Sequence, residues 1–236
     1  MQLLLGCSRS GVALLRRDWL GRVVGAPIER SWDGDPATLA AVLRAVFGDA
    51  ALRKVRLQVT LADDLCRFHV TAPAIDAGWV LHSDPVLCGP FAAVALPQAL
   101  QQAVLQVADE FGLRKTRIAP HCCVMWRHWK HEMKPTDWFG VAHDNSLTLL
   151  AFADGRLRAL VREPLDQPAM KDPLWLSRCT ASTMRALHVA APARILLGGE
   201  VPQPWTRQMP GRIACSALVA KNQPACSRAA ALAMGA

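Results

Sequence analysis

The chain contains no tyrosine and only six phenylalanines in 236 residues. Surfaces that bind single-stranded nucleic acid stack bases on aromatic side chains set among lysines and arginines. No such stripe exists here. Long apolar runs are missing too: charge, proline or glycine interrupts each within about ten residues, whereas a membrane-spanning helix needs about 20. No basic stretch precedes the apolar start MQLLLGCSRSG, so a cleaved signal peptide is not expected. The LLGC within it matches the end of a lipoprotein signal, but without the positive start and longer apolar segment such signals need. Several catalytic signatures are absent as well. There is no Cys-x-x-Cys, no Gly-x-Ser-x-Gly elbow, no Walker A loop and no Gly-x-Gly-x-x-Gly. Dithiol redox chemistry, α/β-hydrolase chemistry and the two common phosphate-loop folds lose their sequence basis.

Apolar residues make up 52% of the chain and charged residues 19%, enough to bury a sizeable core and too apolar for disorder. Lysine and arginine exceed aspartate and glutamate by 27 to 19, giving a formal charge of +8. These cations are scattered, at Arg16 and Arg17, Arg53 and Lys54, Arg114 to Arg117 and Arg127 to Lys134. That pattern reads as solvated basic faces, with acidic partners or lipid headgroups as the alternative. Cysteines stand at 7, 66, 88, 122, 123, 179, 215 and 226, mostly inside apolar strings and without a regular framework. Buried thiols in a reducing compartment follow, and the cytoplasm is the expected location.

The segments Gln2–Gly6 and Val12–Arg16 read as a hairpin around Ser8–Gly11, with a third strand over Arg22–Ser31. Asp35 is a natural N-cap and Pro36 suits the first helical position, which launches a helix through about Val46. Leu39, Val42, Leu43 and Val46 give it one apolar face. Alternation predicts strands at Val55–Leu61 and Leu65–Thr71, and residues 72–96 read as loop. Pro97 opens a helix to about Phe111 that Gly112 stops. A short strand at Thr116–Ile118 and a helix at His121–His131 follow.

The opening pattern then returns. Strands are expected at Trp138–His143, Leu147–Ala153 and Arg156–Arg162, the last two joined by Asp154-Gly155, a strong hairpin turn. A helix over Leu174–Leu187, strands at Arg194–Leu197 and Ile213–Val219, loop over 200–212 and an Ala-rich helix at Pro224–Met234 complete the chain. Two rounds of hairpin, strand, helix and further strand make an internal duplication.

Four stretches in this order carry a family likeness: Leu3–Arg17, Leu96–Ile118, Phe139–Arg162 and Ala193–Gly199. The closing SRAAALAMGA adds to them. Together they resemble the actin-like, ribonuclease H-like ATPase superfamily, and within it the PilM family of type IV pilus assembly proteins and the cytoplasmic part of the GspL family of type II secretion. The resemblance implies a duplicated α/β fold of mixed sheets and helices, with an N-terminal subdomain over 1–119 and a C-terminal one over 120–236. The subdomain that relatives insert after the second strand pair is expected to be missing or minimal. If the superfamily's cleft for ATP and magnesium is retained, Ser8, Ser10, Asp144, Ser146, Gly198 and Gly199 would line it.

The departures weigh against catalysis. Active members of the superfamily place an aspartate at the end of the first strand, where this chain has Gly6-Cys7-Ser8. His143-Asp144-Asn145-Ser146 lacks the glycines that let backbone N–H groups approach a phosphate. The resemblance therefore implies a non-catalytic scaffold with no required cofactor. It would hold an extended segment of an inner-membrane assembly protein and lie at the inner membrane through that partner. No specific nucleic acid is expected, and a homodimer is compatible. An ATP-binding switch is the alternative.

Two other constellations compete. His121, Cys122, Cys123, His128 and His131 include zinc-ligand types, with His128 and His131 on one helical face. Adjacent helical residues such as Cys122 and Cys123 point about 100° apart, which opposes joint ligation. Trp126, Trp129 and Trp138 suit either core packing or a partner-facing patch. The pair Asp63-Asp64 sits at a strand connection with no evident cleft.

Overall fold

The computed structural model describes residues 1–48, 55–71, 76–207, 213–218 and 228–234. Strands β1 (Gln2–Ser8), β2 (Gly11–Arg17) and β3 (Val23–Ser31) form an antiparallel meander, followed by helix α1 (Pro36–Gly48) and strand β4 (Arg56–Leu61). The Asp35 carboxylate accepts from the Ala37 N–H at 2.9 Å, the expected cap at the start of α1. Leu39, Leu43, Val46 and Phe47 are the buried face of that helix.

A compact insert comes next. Strands β5 (Arg67–His69), β6 (Trp79–His82) and β7 (Ala93–Pro97) make a small antiparallel sheet in the order β5-β7-β6, with the short helix α2 (Pro85–Cys88) between the last two. The expectation of a bare loop over 72–96 is thereby corrected for its described part. Its strands have three to five residues and too few alternations to show a period. Tertiary contacts hold them. Phe68 packs on Phe91 at 4.8 Å, Arg67 lies 4.2 Å over the Trp79 ring, and His82 meets Gln101 at 3.1 Å.

Helix α3 (Gln98–Glu110) buries Leu100, Ala103, Val104, Val107 and Ala108. Gly112, at φ +64°, stops it, and the Leu113 N–H donates back to Ala108 O at 2.8 Å. Strand β8 (Arg114–Pro120) completes the first sheet, and helix α4 (His121–Trp129) leads out of it.

The second round runs β9 (Asp137–His143), β10 (Ser146–Ala153), β11 (Arg156–Pro164), helices α5 (Gln167–Lys171) and α6 (Trp175–Leu187), β12 (Arg194–Gly199) and β13 (Ala214–Ala217). Its order, β11-β10-β9-β12-β13, repeats the β3-β2-β1-β4-β8 of the first sheet. In both, three antiparallel strands are extended by two parallel ones. Asp154 and Gly155 both have positive φ, as a two-residue primed turn requires. Helix α5 was not expected from the sequence; the Asp166 side chain caps it, bonding the Ala169 N–H at 2.7 Å.

The two faces of the first sheet are covered differently. Leu3, Leu5, Cys7, Val12 and Leu14 belong to the main core, which runs on through α1, α3 and the second sheet. Leu4, Ala13 and Leu15 point the other way, onto helix α7 (Arg228–Met234), through Ala229, Ala230 and Ala233. Gly6 makes that approach possible. A β-carbon there would lie 2.1 Å from Ala229 O and 2.6 Å from Ala233 N. The last described helix therefore belongs, by packing, to the first sheet.

Candidate functional site

The turn between β1 and β2 is Arg9-Ser10. Ser8 Oγ lies 3.1 Å from Ser10 Oγ and donates to Gly11 O at 3.3 Å, so both hydroxyls serve the turn. Cys7 precedes them, and burial pushes its thiol up to about 12. A neutral sulfur is no ligand for a hard cation such as magnesium. Arg9 is held by Asp64 at 2.7 Å.

The matching turn between β9 and β10 is Asp144-Asn145. Asp144 takes a left-handed φ of +54°, and Ser146 Oγ donates to His143 O at 3.2 Å. Its carboxylate is engaged: Arg228, at the start of α7, donates to Asp144 Oδ1 at 2.7 Å. The same guanidinium reaches Glu200, just past β12, with Nε 3.1 Å from Oε2. Burial raises the pKa of Glu200, Arg228 lowers it and Asp144 raises it further. Arg228 thus crosses from the helix on the first sheet to two carboxylates of the second repeat. Beside it, against Ser10, Gly11 and Arg30, is a cavity of about 320 Å³.

Gly198 and Gly199 end β12. Met125 fills the room over Gly198, where a β-carbon would meet its Cε at 2.2 Å. Gly199 has φ +82°, and its β-carbon position would lie 2.1 Å from Ala142 O. Packing against α4 and β9 requires both glycines.

Behind these turns lies a buried polar junction. Asp63, in the 3₁₀ turn after β4, accepts the Cys122 N–H at 2.9 Å and so caps α4 from outside that helix. Burial pushes its carboxyl up to about 6, against the lowering effect of that hydrogen bond. Arg162 of β11 donates to Asp63 O at 3.0 Å, which ties the second sheet to the first. The His121 and His143 rings meet edge to face at 5.1 Å, and burial lowers the pKa of His143.

The sequence pattern brought Ser8 with Ser10, and Asp144 with Ser146, into their turns. It missed Arg228 and Glu200, which join Asp144 in one ion-pair cluster. Arg228 did leave one signal, as the only charge in SRAAALAMGA. The zinc-type constellation disperses. Cys122 and Cys123 are buried while His128 and His131 are exposed, and no metal-holding group of three ligands occurs among the described residues. Trp138 is fully buried, Trp126 stacks on Phe152 at 4.7 Å, and Trp129 is half-buried.

The fold implies ATP with magnesium, and the residues present do not fit it. The first turn offers no carboxylate, and the one in the second is engaged by Arg228. The second turn carries no glycine and the first only Gly11, and side-chain and backbone atoms fill the space over Gly198 and Gly199.

Two repeats with the same strand order, a hairpin turn at the head of each and a small sheet inserted in the first define the actin-like ATPase fold. The particular structures this chain is similar to are distant in sequence. A protein of Bacteroides thetaiotaomicron, described as having the actin-like ATPase fold and unknown function, superimposes with TM-score 0.59 at 10% identity, covering 86% of this chain and 83% of that one. The cytoplasmic domain of EpsL, an inner-membrane component of the type II secretion system of Vibrio cholerae, gives TM-score 0.56 at 12% identity, covering 99% and 93%. The PilM–PilN type IV pilus biogenesis complex gives 0.54 at 14% identity, covering 86% and 82%. No protein-family model and no curated protein matches the sequence. At these identities the likeness establishes the fold.

Proposed function

We propose that this chain is a non-catalytic scaffold in a type IV pilus or type II secretion-like platform. It would work on the cytoplasmic side of the inner membrane, holding an extended segment of a membrane partner. The two repeats, divided near residue 120, form a rigid frame for that segment, with α7 crossing back to brace the first. The likeness to PilM, solved with PilN, and to an inner-membrane secretion component supports the setting. Among the described residues, no helix is long and apolar enough to cross a membrane.

One observation carries the reading. Among the described residues, strand β8 is the outer strand of the first sheet, paired on one side only, with β4. A groove of about 320 Å³ runs beside it, between α2 and α3, lined by Thr116, Arg117, Ile118, His82, Leu105 and Arg127. An extended segment can add main-chain hydrogen bonds at such an edge and set alternate side chains in the groove. Arg117 and Arg127 select an acidic segment; Asp84 is the carboxylate among the lining groups.

The test uses fluorescently labelled acidic peptides taken from the cytoplasmic segments of inner-membrane pilus and secretion assembly proteins. Binding on the order of micromolar is expected, with about a tenfold loss or more in Arg117→Glu/Arg127→Glu. Equal affinity of that variant would remove the groove from the reading. Calorimetry with ATP and magnesium covers the alternative. Micromolar binding lost in Asp144→Ala would restore the switch.

A further inference from the structure

At the end of the first sheet remote from the Ser8 and Asp144 turns, β2 and β3 join through Asp18-Trp19-Leu20-Gly21. The turn is firmly built. Gly21 N–H donates to Asp18 O at 3.2 Å, Asp18 N–H to Arg22 O at 2.9 Å, and Arg22 N–H to the Asp18 carboxylate at 2.8 Å. Gly21 takes φ +80° to close it. Such a turn lifts its two central residues clear of the fold. Trp19 is 84% exposed and Leu20 53%, with Val24 next to them at 51%. A tryptophan side chain is the costliest of all to leave in water, and here it stands at a fixed apex.

The strand register assembles cations around that apex. Arg16 and Arg17 precede the turn and Arg22 follows it. Gln2 aligns with Arg17 on one side and Arg56 on the other, and Arg56 aligns with Arg114, beside Lys115. The strand ends of one sheet edge therefore carry Arg16, Arg17, Arg22, Arg56, Arg114 and Lys115 in a row. Among the described residues, Asp18, Asp109 and Glu110 are the carboxylates beside this row in the chain. Asp18 bonds its own turn, and Glu110 is held by Arg44 at 2.7 Å, which leaves Asp109.

We propose that this strand-end face is a docking surface for an anionic lipid bilayer, with Trp19 and Leu20 entering the headgroup region and the cation row lying on the phosphates. Indole and leucine at a protruding turn suit the interface, where an amphipathic ring is at home. Basic residues near an anionic leaflet each add attraction, and stable attachment needs the apolar and electrostatic signals together. Both occur here within one turn and its flanking strands. The Trp19 turn joins β2 and β3, across the sheet from the β8 groove, while the cation row reaches β8 at Arg114 and Lys115, so a scaffold holding a membrane partner would meet the bilayer with a second contact.

The experiment is flotation of the purified chain with vesicles, with no partner present, so its failure leaves the peptide reading untouched. Vesicles of phosphatidylglycerol and phosphatidylethanolamine are compared with vesicles of phosphatidylcholine alone. Binding to the anionic vesicles is expected, weakening as salt rises. Trp19→Ser/Leu20→Ser should lower the partition coefficient about tenfold or more, and Arg22→Gln or Lys115→Gln about fivefold each. Brominated lipids should quench fluorescence in the wild type and less in Trp19→Phe. All these positions are exposed, and unchanged thermal melting verifies folding. Absence of binding to anionic vesicles at low salt overturns the proposal, as does full binding by the double variant. A dimer lost in the double variant, without vesicle binding, would assign the tip to a second copy instead.

Discussion

Gly6→Leu is expected to strip α7 from the first sheet and lower stability by about 3 kcal/mol or more. The atoms in the way, Ala229 O and Ala233 N, are backbone and cannot step aside as a flexible side chain can. The substitution also costs the helix its burial against Leu4, Ala13 and Leu15. Arg228 leaves with the helix, so Asp144 and Glu200 lose their shared cation. Urea unfolding would give the loss, and limited proteolysis should cut near α7 in the variant before the wild type. Gly48→Ala is the control, since nothing lies within 4 Å of a β-carbon there. Equal stability of Gly6→Leu and wild type would mean that α7 is not docked.

The second large effect has the opposite sign. Asp63 is buried and its carboxyl is pushed up to about 6 from the ordinary 3.8. The folded state therefore binds the proton more tightly than the unfolded state. Stability from this group is complete below pH 3.8, falls as pH rises through the window to about 6, and is level above it. At 1.36 kcal/mol per pKa unit, the ionised form costs about 3 kcal/mol at pH 8. Asp63→Asn keeps an oxygen for the Cys122 N–H and removes the charge. It should gain about 2–3 kcal/mol over wild type at pH 8 and almost nothing at pH 3. Urea unfolding at the two pH values decides. A variant weaker than wild type at pH 8 would mean that the α4 N-terminus and Arg162 outweigh the cost of burial.

The duplicated fold was legible because its main strands are long enough to alternate and its turns carry their own chemistry. Asp35-Pro36, Gly112 and Asp154-Gly155 mark boundaries that the structure keeps. Strands β5, β6 and β7 were not legible, because their order is set by contacts such as Phe68 with Phe91 rather than by a local period. The site was half legible. Turn residues reveal themselves by type, but the meeting of Asp144 with Arg228 joins residues far apart in the chain and leaves no periodic trace. Asp63 likewise read as half of an acidic pair at a strand connection; only the fold shows it buried at the head of α4.

The docking of α7 also bears on how the chain is made. Leu4, Ala13 and Leu15 leave the ribosome early, and the helix that covers them comes after the whole second repeat. At about 5–20 residues per second, that apolar face waits roughly ten to forty seconds for its cover. The first repeat cannot mature as an independent unit during synthesis. Slowing translation across the second repeat would lengthen the time in which this face is open to chaperones or to other nascent chains.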